Sequence, residues 1–448
     1  MSRTTLDRFE DRYARRMQGM RSSAMRDLMA ITARPEVISL AGGLPDTGAF
    51  DADLLATLLD DIAANEHAAA LQYGPTEGLA MTKRAICEVM RAEGMDVDPD
   101  ALIVTAGGQQ VLDLFARTFI DPGDVVLAEG PTYPGVVPVF SSYQADVRHV
   151  PLDADGLDPN LVAETLDELA QEGVRPKYLY TIPTFQNPGG MTMTLQRRKA
   201  LVALAAERDL LILEDNPYSM LRYEGDPVPT LRELDQHGNV VYLGTFSKIF
   251  APGVRLGWVE APAPILARIN LVKQAADLCS SSLSQHLVGR FFLECDWPAY
   301  IERLSVIYRG RRDAMMQSLE RFFPAAATWT TPEGGLFVWA TLPSVIDTQD
   351  LLARALTENV AFVPGSAAYL DGNGGNSMRL NFSAVPEARI EEGIRRLGGV
   401  IDEVLELADK LGMDASGAAP RSGAPTTLVP AATPLPAATP TTTSGDVE

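Results

Sequence analysis

Short apolar runs alternate with helix-like patterns over residues 50–290. Most of these runs are continuously apolar, which is typical of strands that helices cover on both faces. Between them lie amphipathic stretches such as residues 109–120, in which Leu112, Phe115 and Phe119 fall on one helical face. Strands that alternate with helices predict an α/β protein with a mostly parallel sheet. The predicted strands are ALIVT (101–105), DVVLAE (124–129), KYLYTIP (177–183), LLILED (210–215), VVYLGT (240–245) and RLGWVE (255–260).

A different pattern begins near residue 290. A long helical stretch comes before GGLFVWATL, LLARALTENVAFVP, SMRLNFSA and a final amphipathic helix. We therefore expect a large domain over 51–290 and a smaller α+β domain over 291–410. Residues 414–448 are rich in Pro, Ala and Thr and contain no aromatic residue. Such a segment cannot bury enough apolar area to fold, so we expect a disordered tail.

Composition narrows the possible functions. Asp and Glu number 59 against 38 Lys and Arg, and a net charge of −21 argues against nucleic-acid binding because it repels a phosphate backbone. No apolar run reaches the roughly 18 residues of a membrane span, and the charged N-terminus does not resemble a signal peptide. Three widely spaced cysteines suit a reducing compartment, and four scattered histidines offer no metal site. We expect a cytoplasmic protein without a metal and without a membrane partner.

The ends of the predicted strands carry the candidate chemistry. In an open parallel sheet, ligands bind outside the carboxyl ends of the strands. The residues that follow these strands are therefore the candidates for a functional site, and they are Gly107, Gly108, Gln109, Tyr133, Asn187, Asp215, Tyr218, Thr245, Ser247 and Lys248.

Lys248 is the most informative of these residues. Thr245 and Ser247 come before it, and Arg255 follows seven positions later. Hydroxyl groups and an arginine suit a phosphate dianion, and a lysine beside a phosphate site is what a cofactor bound as a Schiff base requires. Taken alone, a lysine at a strand end could instead extend to the surface or pair with an acid.

The other candidates each allow two interpretations. The segment 107–109 could bind phosphate through backbone N–H groups at a helix start, or could be a plain strand–helix turn. Asp215 could hold a pyridinium nitrogen protonated, or cap a turn. Asn187 and Tyr218 could donate to an oxygen of the same ring and Tyr133 could stack on it, or all three could be ordinary turn and loop residues.

Arg379 lies within a strand pattern of the smaller domain. An inward-facing guanidinium on a strand must be paired. The carboxylate of a substrate could bind it through two parallel hydrogen bonds, and a structural salt bridge is the alternative.

Nine segments together resemble the fold-type I pyridoxal 5′-phosphate (PLP) aminotransferases of class I and II, most closely the 2-aminoadipate/kynurenine aminotransferase group. The resemblance covers roughly residues 20–405. It implies a large PLP-binding domain with a seven-stranded type of sheet, and it implies that residues 1–50 join the smaller domain and cover the substrate. The segments are SLAGGLPD (39–46), LQYGPTEG (71–78), VTAGGQQVLDL (104–114), EGPTYPG (129–135), TIPTFQNPGG (181–190), EDNPY (214–218), YLGTFSKIFAPGVRLGW (242–258), EGGLFVW (333–339) and VAFVPG with MRLNFS (360–383).

The resemblance also implies a role for each candidate. Lys248 is expected to bind the cofactor covalently and to act as the base, with Asp215 at the pyridine nitrogen and Tyr133 stacked on the ring. Asn187 and Tyr218 are expected to donate to the ring oxygen O3′. The implied phosphate ligands are Gly108, Gln109, Thr245, Ser247 and Arg255. The implied substrate ligands are Gly42, Gly43, Asn187 and Arg379.

Two further residues extend the resemblance. Tyr73 matches a tyrosine that reaches the phosphate of the partner subunit, and this implies an obligate homodimer. Arg26 occupies the position at which the aminoadipate group has an arginine for a second substrate carboxylate, and a surface arginine is the alternative. One residue departs from the family pattern, because Gly189 stands where Asn-Pro-Thr-Gly usually has its threonine.

The implied reaction is amino-group transfer between an L-amino acid and a 2-oxo acid in amino-acid metabolism. The expected amino-acid substrate is of one of three types: 2-aminoadipate or glutamate, an aromatic amino acid, or a branched-chain amino acid. Another PLP-dependent reaction on the same scaffold, such as β-elimination, decarboxylation or oxidation, is one alternative. The effector domain of an aminotransferase-like transcription regulator is another, which the acidic charge and the short segment before the match disfavour.

Overall fold

The computed structural model describes residues 7–20, 28 and 34–413. Its largest element is an eight-stranded sheet in which five neighbouring strands pair in parallel. Gly257–Glu260 runs antiparallel to both of its neighbours. In spatial order the strands are Leu102–Thr105, Gly257–Glu260, Val240–Thr245, Ile212–Asp215, Leu179–Thr181, Val125–Gly130, Asp146–Asp153 and Gly156–Leu157.

All six strands predicted from apolar runs are present, within two residues at each end. The strand Asp146–Asp153 was not predicted, because polar side chains interrupt its apolar residues. It pairs in parallel with Val125–Gly130 near the edge of the sheet, where every second side chain reaches the surface. The short strand Gly156–Leu157 pairs antiparallel with the end of Asp146–Asp153. The sheet therefore has one more strand than the seven-stranded type that was expected.

Helices cover the sheet and connect its strands. Several begin at an aspartate whose side chain accepts backbone N–H groups of the first turn, as Asp51, Asp158 and Asp347 do. The α-helices are Ala52–Asn65, His67–Ala70, Ala80–Ala92, Gly108–Phe119, Val137–Ser142, Pro159–Gln171, Leu195–Arg208, Leu231–Leu234, Ala263–Ala276, Ser282–Glu294, Trp297–Phe322, Thr348–Thr357 and Glu387–Lys410. Short 3₁₀ helices lie at Glu10–Arg12, Arg15–Gly19, Thr47–Ala49, Pro99–Ala101, Pro252–Val254 and Gly365–Ala368.

A smaller antiparallel sheet lies beyond the carboxyl ends of the large one. Its strands are, in spatial order, Thr328–Trp329, Phe337–Thr341, Ser377–Asn381 and Val363–Pro364. One hydrophobic cluster contains residues of both sheets, such as Tyr242 and Val338. Ile38–Ser39 pairs in parallel with Val360–Ala361, so these two segments lie side by side although they are far apart in the sequence.

The expected domain boundaries stay predictions. Arg26 and residues 414–448 lie outside the described residues. Among the residues that are described, no helix has both the length and the apolar composition needed to cross a membrane.

Candidate active site

A cavity of about 380 Å³ lies at the carboxyl ends of the large sheet, beside the smaller sheet. Of the fifteen residues to which the resemblance gives a role, Tyr73 is 79% exposed outside the cavity, and Arg26 lies outside the described residues. The other thirteen all line the cavity. They are Gly42, Gly43, Gly108, Gln109, Tyr133, Asn187, Asp215, Tyr218, Thr245, Ser247, Lys248, Arg255 and Arg379.

Lys248 enters the cavity from the turn after the strand Val240–Thr245. Its Nζ donates a hydrogen bond to the carbonyl oxygen of Gly43 at 2.6 Å. Burial lowers the pKa of Lys248 to about 8, and the positive charges of Arg379 and Arg255 act in the same direction, whereas Asp215 opposes them. The unprotonated amine is therefore more populated near neutral pH than it is in an ordinary lysine.

Asp215 ends the strand Ile212–Asp215 and is 5% exposed. The hydroxyl of Tyr180, from the neighbouring strand, donates to its Oδ2 at 2.7 Å. Burial raises the pKa of Asp215 to about 7, although the Tyr180 hydrogen bond and the charge of Lys248 both lower it. A cation placed beside this carboxylate would stabilise its ionised form.

The start of the helix Gly108–Phe119 forms another wall. Gly107 comes just before this helix with φ of 83°, and a Cβ there would lie 2.6 Å from Nη2 of Arg255. Only glycine combines this backbone conformation with such close contact. The hydroxyl oxygens of Thr245 and Ser247 lie 3.0 Å apart in the same wall. Guanidinium, hydroxyl and helix N–H donors in one place form a site for an anion.

Arg379 projects from the strand Ser377–Asn381 and is 1% exposed. Its Nη1 donates to Oδ1 of Asn187 at 2.9 Å, and its Nη2 donates to the carbonyl oxygen of Ala41 at 2.7 Å. Nδ2 of Asn187 in turn donates to the hydroxyl of Tyr218 at 3.1 Å. The guanidinium lies 4.4 Å from the centre of the Phe337 ring. These contacts link the substrate candidate Arg379 directly to Asn187 and, through Asn187, to Tyr218.

Sequence reasoning missed two buried residues behind the cavity. Tyr180 contacts Asp215, and the signal was a tyrosine in the middle of an apolar strand, whose hydroxyl must find a partner. Glu129 is 1% exposed and ends the strand DVVLAE, so the rule applied to Asp215 would have found it too. Its carboxylate accepts hydrogen bonds from the Thr181 hydroxyl at 2.5 Å and from Nε2 of Gln186 at 2.9 Å.

A mostly parallel sheet with a cavity at the carboxyl ends of its strands is the arrangement of α/β proteins that bind a ligand or cofactor at that edge. The family model for aminotransferase class I and II matches residues 35–397, and the chain belongs to this family. A transaminase of this family transfers an amino group between an amino acid and a 2-oxo acid with PLP as its cofactor. The expectations for the fold, the activity and the cofactor are confirmed at this level.

Individual relatives agree with the family match. Aromatic-amino-acid aminotransferase 1 of Thermococcus litoralis is 42% identical over 403 residues, which cover 90% of this chain and 96% of the relative. The crystal structure of Pyrococcus horikoshii kynurenine aminotransferase in complex with PMP is 40% identical, with a TM-score of 0.84. The match covers 89% of this chain and 98% of the chain in that structure. The crystal structure of the α-aminoadipate aminotransferase LysN of Thermus thermophilus is 34% identical, with a TM-score of 0.83. The match covers 89% of this chain and 99% of LysN.

Proposed function

We propose that Lys248 is the residue that binds PLP covalently and moves the proton during amino transfer. Its amine lies in the cavity, and its lowered pKa favours the unprotonated form that a nucleophile and base must have. Bound PLP supplies an electron-withdrawing ring that stabilises the negative charge left on the substrate Cα. Lys248 would take the proton from Cα and deliver it to the cofactor carbon that receives the amino group.

Asp215 would hold the pyridine nitrogen of the cofactor in its protonated form. The raised pKa of about 7 supports this role, because a buried carboxylate without a full counter-charge is stabilised by a pyridinium. Tyr133 would stack on the ring, and Asn187 and Tyr218 would donate to its O3′. Their present contact at 3.1 Å places both polar groups at one spot of the cavity wall.

The phosphate would bind at the start of the helix Gly108–Phe119. Arg255 supplies the positive charge, and its proximity to Gly107 places that charge beside the first N–H groups of the helix. The proposed phosphate ligands are Gly108, Gln109, Thr245, Ser247 and Arg255.

The substrate carboxylate would bind to Arg379, assisted by Asn187 and by the backbone of Gly42 and Gly43. Burial lowers the pKa of Arg379 to about 10, so the guanidinium remains charged at neutral pH. The hydrogen bond from Lys248 to Gly43 supports this arrangement, because it places the base next to the segment expected to hold the substrate. The substrate Cα would then lie between Arg379 and Lys248.

For the substrate class, we propose 2-aminoadipate or glutamate together with aromatic or branched-chain amino acids. Relatives named for aromatic amino acids and for 2-aminoadipate support this range. The test is a panel of single half-reactions with the full-length protein, in which pyridoxamine phosphate and the 2-oxo acid are measured for each amino acid. Formation of both products in equal amounts is expected. Ammonia or carbon dioxide in place of pyridoxamine phosphate would reject amino transfer.

Arg26 is proposed to bind the second carboxylate of a dicarboxylic substrate. Arg26→Ala should lower kcat/KM for glutamate or 2-aminoadipate by about ten- to a hundredfold, which is the loss of one charge-assisted contact. Leucine has no second carboxylate and serves as the matched control, with little change expected. Equal losses for both substrates would show that Arg26 is structural.

A homodimer in the cytoplasm is also proposed. Tyr73 and Leu71 are 79% and 77% exposed on a single chain, as expected if a partner subunit covers them. The three cysteines are all unpaired, which supports a reducing compartment.

A further inference from the structure

A buried lysine lies outside the cavity, behind the start of the helix Gly108–Phe119. Lys273 belongs to the helix Ala263–Ala276, and its side chain is 0% exposed. Its Nζ donates to the two carboxylate oxygens of Asp277 at 2.7 and 2.9 Å and to Oγ of Ser280 at 3.2 Å. Burial of an ammonium is costly unless it is paired, so the buried Lys273 depends on Asp277, whose side chain is 25% exposed.

Gln110 connects this ion pair to the wall of the cavity. Its Nε2 donates to Oδ2 of Asp277 at 2.8 Å, and its Oε1 accepts the backbone N–H of Ala106 at 2.7 Å. Gln110 is the third residue of its helix, the position from which a side chain reaches back to cap the preceding turn. The carbonyl oxygen of Ala106 also accepts from Nη2 of Arg255 at 3.3 Å. The turn before the helix is therefore held from both sides.

We propose that Lys273, Asp277 and Gln110 form a positioning unit for the cofactor phosphate. This inference rests on the proposed function, in which the phosphate binds at Gly108 and Arg255. None of the three side chains lines the cavity, so they act through the turn at Ala106 and Gly107. Their task is to hold the first N–H groups of the helix in the orientation that the phosphate requires.

The positive charge of Lys273 also neutralises the carboxylate of Asp277. Asp277 is needed to orient Gln110, but an uncompensated carboxylate so near the helix start would repel a phosphate dianion. Pairing with Lys273 neutralises Asp277 and leaves its oxygens able to accept from Gln110. Removing the ammonium should therefore weaken phosphate binding more than it weakens binding of the cofactor ring.

The test compares the dissociation constants of PLP and of pyridoxal, which lacks the phosphate, by absorbance titration of the full-length protein after removal of its cofactor. The ratio of the pyridoxal constant to the PLP constant isolates the phosphate contribution, because it falls when phosphate binding weakens. Lys273→Met and Gln110→Ala should each reduce this ratio by about tenfold. Arg268→Met removes an exposed cation from the same helix and should leave the ratio unchanged.

A double variant separates charge from packing. In Lys273→Met with Asp277→Asn, no carboxylate remains to repel the phosphate, and the amide can still accept from Gln110. The ratio should return to within about threefold of the parent protein. A double variant no better than Lys273→Met would overturn the charge argument. The ³¹P resonance of the bound cofactor should move toward that of free PLP in the single variants and return in the double variant.

Arg255→Ala distinguishes a failure of this inference from a failure of the proposed function. If Arg255→Ala collapses the ratio while Lys273→Met and Gln110→Ala leave it unchanged, the positioning unit is rejected and the phosphate site stands. If Arg255→Ala also leaves the ratio unchanged, the phosphate binds elsewhere and both proposals fall. Should Lys273→Met fail to fold, Gln110→Ala decides, since its side chain is only partly buried.

Discussion

Glu129 shows how a single buried carboxyl group links the stability of this protein to pH. Burial raises the pKa of Glu129 to about 7, and the negative charge of Asp215 raises it further. Hydrogen bonds from Thr181, Gln186 and the N–H of Ile182 act in the opposite direction and lower this pKa. The folded protein therefore retains a proton that the unfolded chain, with its ordinary pKa near 4.5, releases. The stability from this group is fully present below pH 4.5 and is lost as the pH rises through 7.

Glu129→Gln should remove this dependence, because the amide resembles the protonated carboxyl group and does not titrate. Between pH 5 and 7, the parent protein should lose up to about 1.4 kcal/mol of unfolding free energy per pH unit relative to the variant. Urea unfolding of the cofactor-free proteins at several pH values measures the difference. Glu207→Gln alters a glutamate that is 73% exposed and is the control. Parallel pH profiles for the parent and Glu129→Gln would contradict the raised pKa.

At the scale of elements, the turn into the helix Gly108–Phe119 depends on one glycine. Gly107→Ala introduces a Cβ at 2.6 Å from Nη2 of Arg255, at a φ of 83°. Gly123 has a φ of 90°, and a Cβ there would meet no atom within 4 Å, so Gly123→Ala imposes a similar backbone strain without the clash. Both variants should lose about 1–2 kcal/mol of stability from the backbone.

Only Gly107→Ala should also weaken PLP binding, because it displaces the Arg255 guanidinium from the phosphate site. Thermal unfolding and absorbance titration with PLP measure the two effects separately. Equal PLP affinities for the two alanine variants would show that the position of Arg255 does not matter for the cofactor.

The sequence predicted those elements whose apolar pattern is continuous. Six strands of the large sheet were found in this way, and the strand-end rule then led to Lys248 and Asp215, which both line the cavity. The strand Asp146–Asp153 was missed because its pairing partner, rather than its own pattern, makes it a strand. Tyr180 was missed because its position in an apolar strand shows only that its hydroxyl needs a partner, and not that the partner is Asp215 on the neighbouring strand.

For the whole molecule, the exposed Tyr73 leads to a prediction about assembly. If Tyr73 reaches the phosphate of a partner subunit, the protein should sediment as a dimer, and Tyr73→Phe should weaken PLP binding by about three- to tenfold through the loss of one hydrogen bond. Tyr13→Phe changes another exposed tyrosine, 51% accessible, and is the control. A fully active monomer would contradict the proposal that active sites lie between subunits.

The most direct test of the account concerns the lysine. Borohydride reduction of the PLP-loaded protein makes the bond between cofactor and lysine permanent, and peptide mapping by mass spectrometry then locates it. We predict a single modified residue, Lys248, with no modification and no amino transfer in Lys248→Ala. Cofactor attached to another lysine such as Lys273, or a Lys248→Ala variant with a near-normal rate, would contradict the account.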